Sequence, residues 1–169
     1  DLRKYRHSRL SSRKNPVGLV ETSRGCAFQC NFCNKLVFGN VHRVKEPKRV
    51  VDEIEYTLGC GFHELHFSDD SFTQQIERAK DVCREIIRRK LVFPWSLMNG
   101  IREDMVDREF FSLAKKAGCW QVGFGIETGD QGVLDRIDRK ITLADTEKAI
   151  HLAGKAGINA FGFYPRTGR

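Results

Sequence analysis

The sequence predicts an α/β protein built from repeated βα units whose strands run parallel. Short apolar segments alternate with amphipathic helical segments along the chain, which is the pattern of such repeats. Residues 116–124 and 155–163 also resemble each other, since each contains a helix end, a glycine and then a strand. Right-handed crossovers connect parallel strands of this kind, and their carboxyl ends are where functional groups collect.

The first part of the chain contains a connector, a strand and a helix. Residues 1–16 are polar and rich in Arg and Ser, so they predict a connector ahead of a single domain over 17–169. Residues 17–22 form a short apolar strand. The following helix begins at Pro47, since proline is tolerated in the first helical turn, and it stops at the glycines flanking Cys60.

The middle of the chain repeats this order of elements. Residues 64–68 form the second predicted strand. Apolar residues at helical spacing predict a helix over 76–90. The third strand is expected within 91–97, where Pro94 indicates a bend or a missing N–H donor.

The last part of the chain carries clear helix signals. Asp107 is expected to cap one helix, Asp130 a shorter one and Thr142 a third one through a capping-box pattern. Strands four and five are predicted at 119–125 and 158–163, each after a glycine that ends a helix.

Three cysteines, Cys26, Cys30 and Cys33, follow the first strand at the spacing C-x3-C-x2-C. Thiolates suit iron–sulfur clusters, zinc or copper(I). A cubane cluster usually takes four cysteines, so three would leave one iron open to another ligand. Two alternatives are a zinc site with His42 as the nearest candidate fourth ligand, and a redox pair formed by Cys30 and Cys33.

With Phe32 directly before the last cysteine, this motif resembles that of the radical S-adenosylmethionine (SAM) superfamily. The resemblance implies that Cys26, Cys30 and Cys33 hold a [4Fe–4S] cluster, and that the amino and carboxylate groups of SAM bind its fourth iron. It also implies reductive cleavage of SAM to methionine and a 5′-deoxyadenosyl radical, with Phe32 near the adenine. The implied fold is a partial (β/α)6 TIM-barrel-like core with about five strands present.

Four polar residues at predicted strand ends match further positions of the family. Arg102, Glu127 and one of the pair Asp69 and Asp70 would contact SAM, whereas helix-capping acids and a surface arginine are the alternatives that the residues alone allow. The Asp-Asp pair and the Gly-Ile-Glu segment resemble the cobalamin-associated group of the superfamily in particular.

The resemblance therefore implies the core of a cobalamin-dependent methyltransferase or cyclase, with cobalamin supplied by the complete protein. It implies a small-molecule substrate and an electron donor such as flavodoxin or ferredoxin. Five strands in place of the family's usual six predict a domain that is incomplete at its C-terminus and able to self-associate. The alternatives are an RNA-modifying methylthiotransferase and, in another class, a zinc-stabilised binding module.

The composition of the chain indicates whether it spans a membrane or binds nucleic acid. The sequence has no stretch long and apolar enough to span a membrane, and a cytoplasmic protein is expected. Most of the net charge of +7 lies in residues 1–15, where aromatic residues suited to base stacking are scarce, so a nucleic-acid partner is not favoured. Cys60 and Cys119 are predicted at the opposite end of the strands from the motif, and Cys83 in the core.

Overall fold

The computed structural model describes residues 8, 11–34 and 39–164. A five-stranded parallel sheet has the order β1-β4-β5-β6-β7, and β2 and β3 form a separate antiparallel ribbon. The strands are β1 (Val17–Val20), β2 (Ser23–Arg24), β3 (Arg43–Val44), β4 (Glu64–Phe67), β5 (Trp95–Ile101), β6 (Cys119–Phe124) and β7 (Asn159–Gly162). The helices are α1 (Pro47–Gly59), α2 (Ile76–Arg88), α3 (Arg108–Lys116), α4 (Gln131–Arg136) and α5 (Leu143–Lys155). The predicted α/β class with parallel strands is confirmed.

The hydrophobic core contains strand and helix side chains together. Phe67 of β4 and Trp95 of β5 stack with their ring centroids 4.6 Å apart, and Phe110 of α3 belongs to the same buried cluster. Aromatic side chains of this size contribute much of the apolar area that stabilises a core. No helix in the described part of the chain is long and apolar enough to cross a membrane.

The predicted helix caps are present. Asp107 accepts a hydrogen bond from the N–H of Phe110, and Asp130 accepts one from the N–H of Val133. Thr142 begins α5 with a complete capping box. Because these contacts join residues three apart in sequence, the sequence pattern is sufficient to predict them.

The third sheet strand differs from its predicted position. It was expected within 91–97, but β5 covers Trp95–Ile101. Lys90 has φ of 56° just beyond α2, and the N–H of Leu91 donates to the carbonyl of Ile86, so residues 89–91 close the C-terminal end of the helix. Pro94 has no N–H to offer to a strand, and β5 therefore begins directly after it.

Part of the predicted connector is anchored to the sheet. The carboxylate of Glu64 is fully buried at the start of β4, and it accepts hydrogen bonds from the N–H groups of Arg13 and Lys14, each at 2.6 Å. Trp120 Nε1 donates to the same carboxylate at 2.9 Å. A buried carboxylate needs such donors. Most of residues 1–10, like residues 165–169 of the predicted domain, lie outside the described residues.

Candidate functional site

A cavity of about 540 Å³ lies beyond the carboxyl ends of the sheet strands. Its wall combines the cysteine loop with the segments that follow β4, β5 and β6. Among the residues predicted from the sequence, those lining it are Cys26, Cys30, Phe32, Cys33, Asp70, Arg102 and Glu127. The fold thus brings together side chains that are about a hundred residues apart in the chain.

The cysteine loop is held by backbone hydrogen bonds at several points. Gly25 has φ of 84°, a conformation that glycine adopts without steric cost, and its N–H donates to Asp70 Oδ2 at 2.7 Å. The N–H of Asn31 donates to the carbonyl of Ile137 at 3.0 Å. Cys30, between these two anchors, is buried, whereas Cys33 is exposed.

The β2–β3 ribbon, which the sequence analysis did not predict, closes the base of this loop. Ser23 pairs with Val44, and Arg24 pairs with Arg43. Arg78 of α2 binds the residues that flank the ribbon, since its Nη2 donates to the carbonyl of Thr22 at 2.6 Å and its Nε to that of Lys45 at 3.0 Å. Two-residue strands are too short to show a hydrophobic period in the sequence.

The two neighbouring acids after β4 have different roles in the structure. Asp69 is buried and accepts hydrogen bonds from the N–H and hydroxyl of Thr22, at 2.8 and 2.5 Å, and from the hydroxyl of Ser23 at 2.5 Å. Burial raises the pKa of Asp69, although these hydrogen bonds act in the opposite direction. The sequence left open which of the two acids contacts SAM. In the structure Asp70 lines the cavity, whereas the oxygens of Asp69 accept hydrogen bonds from the segment that leads into the cysteine loop.

Glu127 lies in the segment that follows β6. It has φ of 63°, which is strained for a residue with a side chain, and its N–H donates to the carbonyl of Phe163 at 2.9 Å. Burial raises the pKa of Glu127, and the charge of Arg139 acts against that rise. This hydrogen bond to Phe163 helps to hold the half-buried carboxyl of Glu127 at the cavity wall.

Arg102 is buried, so the alternative that it is a surface arginine is wrong. Its Nε and Nη2 donate to the two carboxylate oxygens of Asp104, at 3.0 and 2.9 Å. Its guanidinium also lies 3.7 Å from the ring centroid of Phe28, in a cation–π contact with the cysteine loop. Arg102 therefore connects the end of β5 to this loop while lining the cavity.

Arg139 is a cavity residue that the sequence analysis missed. It is 9% exposed and comes from the turn between α4 and α5. Its Nη1 lies 4.0 Å from Cys30 Sγ, and its Nη2 donates to the carbonyl of Gly125 at 2.6 Å. Glu103 provides the opposite charge, with its Oε2 at 3.3 Å from Nη2. An arginine in a turn between two helices is usually a surface residue, and no sequence motif includes Arg139.

The donor groups fit an iron–sulfur cluster better than a single zinc ion. Zinc in structural sites takes four ligands at about 2.0–2.3 Å, but the described residues contain no group of three His, Cys, Asp or Glu side chains placed to hold one metal ion. His42 is not among the described residues that line the cavity. Three thiols on the wall of an open space are consistent with a larger cluster that leaves one iron available.

The three other cysteines, all of which the structure describes, lie away from the cavity. Cys60 is exposed at the end of α1, while Cys83 and Cys119 are buried in the core. Burial raises the pKa of the Cys83 thiol to about 12 and also raises that of Cys119. Cys83 is therefore a core side chain, as the sequence predicted, and Cys119 lies buried at the start of β6, the end of the strand opposite the cavity.

Comparison with known proteins agrees with this geometry. The chain is 32% identical over 145 residues to the anaerobic magnesium-protoporphyrin IX monomethyl ester cyclase of Rubrivivax gelatinosus, and the match covers 84% of this chain and 26% of that protein. It is 33% identical over 155 residues to the cytidylyl-2-hydroxyethylphosphonate methyltransferase of Streptomyces wedmorensis, covering 88% of this chain and 28% of the relative.

A solved structure is similar as well. The radical SAM methyltransferase TsrM of Kitasatospora setae, with cobalamin and a [4Fe–4S] cluster bound, superposes with a TM-score of 0.79 at 27% identity. The match covers 88% of this chain and 30% of TsrM. This chain thus spans between a quarter and a third of the length of these three relatives.

The family model that matches the chain is the Radical SAM superfamily, over residues 20–165. That range includes the three motif cysteines and the helices α1 to α5. The parallel sheet corresponds to part of the TIM-barrel-like core of this family. The chain therefore belongs to the Radical SAM superfamily of enzymes, and this membership implies a [4Fe–4S] cluster and SAM as its cofactors.

Proposed function

We propose that this chain is the catalytic core of a cobalamin-dependent radical SAM enzyme that transfers a methyl group or forms a ring. The proposal is supported by its similarity to a cyclase, to a phosphonate methyltransferase and to cobalamin-bound TsrM. Because the chain spans less than a third of each of these proteins, cobalamin binding and substrate binding are assigned to the complete enzyme.

The observation that carries this proposal is that three thiols and two carboxyl groups share one cavity wall. Cys26, Cys30 and Cys33 would hold the cluster, and Asp70 and Glu127 face the same space. When bound, the cluster supplies the electron that cleaves SAM into methionine and a 5′-deoxyadenosyl radical. The carboxyl ends of parallel strands are where such folds place their chemistry.

The remaining cavity residues suit a ligand with both charges and an aromatic base. SAM has an ammonium group, for which Glu127 and Asp70 are suitable acceptors, and a carboxylate, to which Arg102 can donate. Phe32 is exposed within the cavity wall and offers a flat apolar face to the adenine. Asp69 is given a different role, because its hydrogen bonds hold the strand that leads into the cysteine loop.

Anaerobic reconstitution tests this function directly. The protein is loaded with iron and sulfide, mixed with SAM and dithionite, and assayed for 5′-deoxyadenosine by mass spectrometry. We expect about four irons and four sulfides per chain, the composition of one cubane cluster, and 5′-deoxyadenosine that depends on both SAM and reductant. Protein that instead retains stoichiometric zinc without sulfide, and forms no 5′-deoxyadenosine, would overturn the proposal.

A further inference from the structure

The guanidinium of Arg139 is buried in a position that is costly to maintain. Its Nε is buried without a hydrogen-bond partner among the described residues. Charged groups are rarely buried unless their surroundings compensate them, and here a carboxylate of Glu103 and a carbonyl of Gly125 do so only at Nη2. Nη1 is directed towards Cys30 Sγ, 4.0 Å away. The Nη1 end of the Arg139 guanidinium therefore faces Cys30, which we assign as a ligand of the cluster.

The backbone around Arg139 is arranged to hold it there. Asp138 and Lys140, on either side, have φ of 53° and 52°, and such strained residues persist only where the surrounding structure enforces them. The cysteine loop contacts the same turn, since Asn31 donates through its N–H to the carbonyl of Ile137 and through Nδ2 to that of Arg136 at 3.2 Å. The position of Arg139 is thus coupled to that of Cys30.

The glycine opposite the guanidinium is also required for this arrangement. A Cβ atom added to Gly125 would lie 2.6 Å from Arg139 Nη2, a distance at which the guanidinium would have to move, and 3.1 Å from Glu127 Oε1. Gly125 therefore leaves room for the guanidinium to reach both its carbonyl and the cysteine loop.

We propose that Arg139 is a positioning residue that sets the reduction potential of the cluster by holding a fixed positive charge beside the Cys30 ligand. This inference rests on the proposed function, since it requires that Cys30 binds the cluster. Reduction by one electron adds a negative charge to the cluster, and a neighbouring cation stabilises that state. Net charge, hydrogen bonds to sulfur and solvent exposure are the factors that tune such potentials, and burial of Arg139 limits the screening of its charge by salt.

The test is an anaerobic redox titration, followed by electron paramagnetic resonance, on reconstituted wild-type, Arg139→Gln and Arg139→Lys proteins. Arg136→Gln is the matched control, because this side chain lies one turn away and is exposed. In Arg139→Gln we expect the ratio of reduced to oxidised cluster at a given potential to fall about tenfold, which is a midpoint about 59 mV lower for one electron. Arg139→Lys should retain most of the wild-type potential, and Arg136→Gln should match the wild type.

A second variant keeps the charge of Arg139 and displaces its guanidinium, and its added Cβ atom also lies 3.1 Å from Glu127 Oε1. Gly125→Ala should lower the potential by less than Arg139→Gln while keeping full iron content, and it decides the outcome if Arg139→Gln loads poorly. Full loading with an unchanged potential in Arg139→Gln, or in Gly125→Ala where Arg139→Gln cannot be loaded, would overturn this role. Loss of SAM affinity at an unchanged reduction potential would also overturn this role and would indicate that Arg139 binds SAM. A wild-type protein that binds no iron and sulfide would instead overturn the proposed function itself.

Discussion

Replacing Asp69 by alanine tests whether this acid stabilises the cysteine loop or contacts SAM. Its carboxylate accepts three hydrogen bonds, two from Thr22 and one from Ser23. All three residues are buried, so water has little access to replace the lost acceptor. Arg78, which holds the carbonyl of Thr22, would also lose the nearby negative charge.

The expected cost follows from these contacts. A hydrogen bond to a charged group contributes about 1.5–3 kcal/mol, and each buried donor left unsatisfied costs about 1–3 kcal/mol. The three bonds are not additive, and burial of the Asp69 carboxylate offsets part of their gain, as its raised pKa indicates. We therefore expect Asp69→Ala to lower the free energy of unfolding by about 3–5 kcal/mol. This is the range observed when one partner of a buried charged interaction is removed. Asp70→Ala should cost about 1 kcal/mol, since this exposed acid accepts one hydrogen bond from the described residues, donated by the N–H of Gly25.

Urea denaturation of the apoprotein, followed by circular dichroism, measures both variants, and SAM titration of the reconstituted proteins completes the comparison. At temperatures where each variant is folded, Asp70→Ala should bind SAM more weakly and Asp69→Asn should bind it as the wild type does. An Asp69→Asn protein with wild-type stability and tenfold weaker SAM binding would refute the reasoning, because the carboxylate would then face the ligand.

Three further predictions concern the cluster, SAM and pH. Cys30→Ala should abolish iron retention after reconstitution, whereas exposed Cys60→Ala should retain it; full iron loading in Cys30→Ala would contradict the assignment of the motif. Glu127→Gln should leave the iron content intact and weaken SAM affinity by roughly tenfold to a hundredfold, the effect of losing a hydrogen bond to a charged group; an unchanged SAM titration would remove Glu127 from the site. Burial raises the pKa of Glu103 from 4.5 to about 7, so the folded state holds its proton more tightly than the unfolded state. Stability should therefore fall by up to roughly 3 kcal/mol as pH rises from 4.5 to 7, and denaturation of apo Glu103→Gln should show a flatter pH dependence; an identical slope in both proteins would contradict this.

The sequence by itself determined the parts of this protein that depend on neighbouring residues. The caps at Asp107, Asp130 and Thr142 are local contacts, and the helices follow their apolar periods. The cysteine motif is equally local, since its ligands lie within eight residues of one another. The alternation of strands and helices then predicted parallel strands, because right-handed crossovers leave few other arrangements.

Only the tertiary structure decided which polar residues at the strand ends face the cavity. Asp69 and Asp70 are the same residue type at adjacent positions, but the carboxylate of Asp69 accepts hydrogen bonds from Thr22 while Asp70 lines the cavity. The far end of the third strand is also set by the structure, since β5 continues beyond Leu97 to Ile101, which pairs with Phe124 of β6.

Arg139 is the clearest case of a residue whose position the sequence did not predict. Its partners Gly125, Glu103 and Cys30 are 14, 36 and 109 residues away in sequence, and none of them forms a pattern with it along the chain. Its burial results from packing of the α4–α5 turn against the cysteine loop. The sequence shows that residue 139 is a positively charged arginine. Its position beside a cluster ligand results only from the folding of the chain.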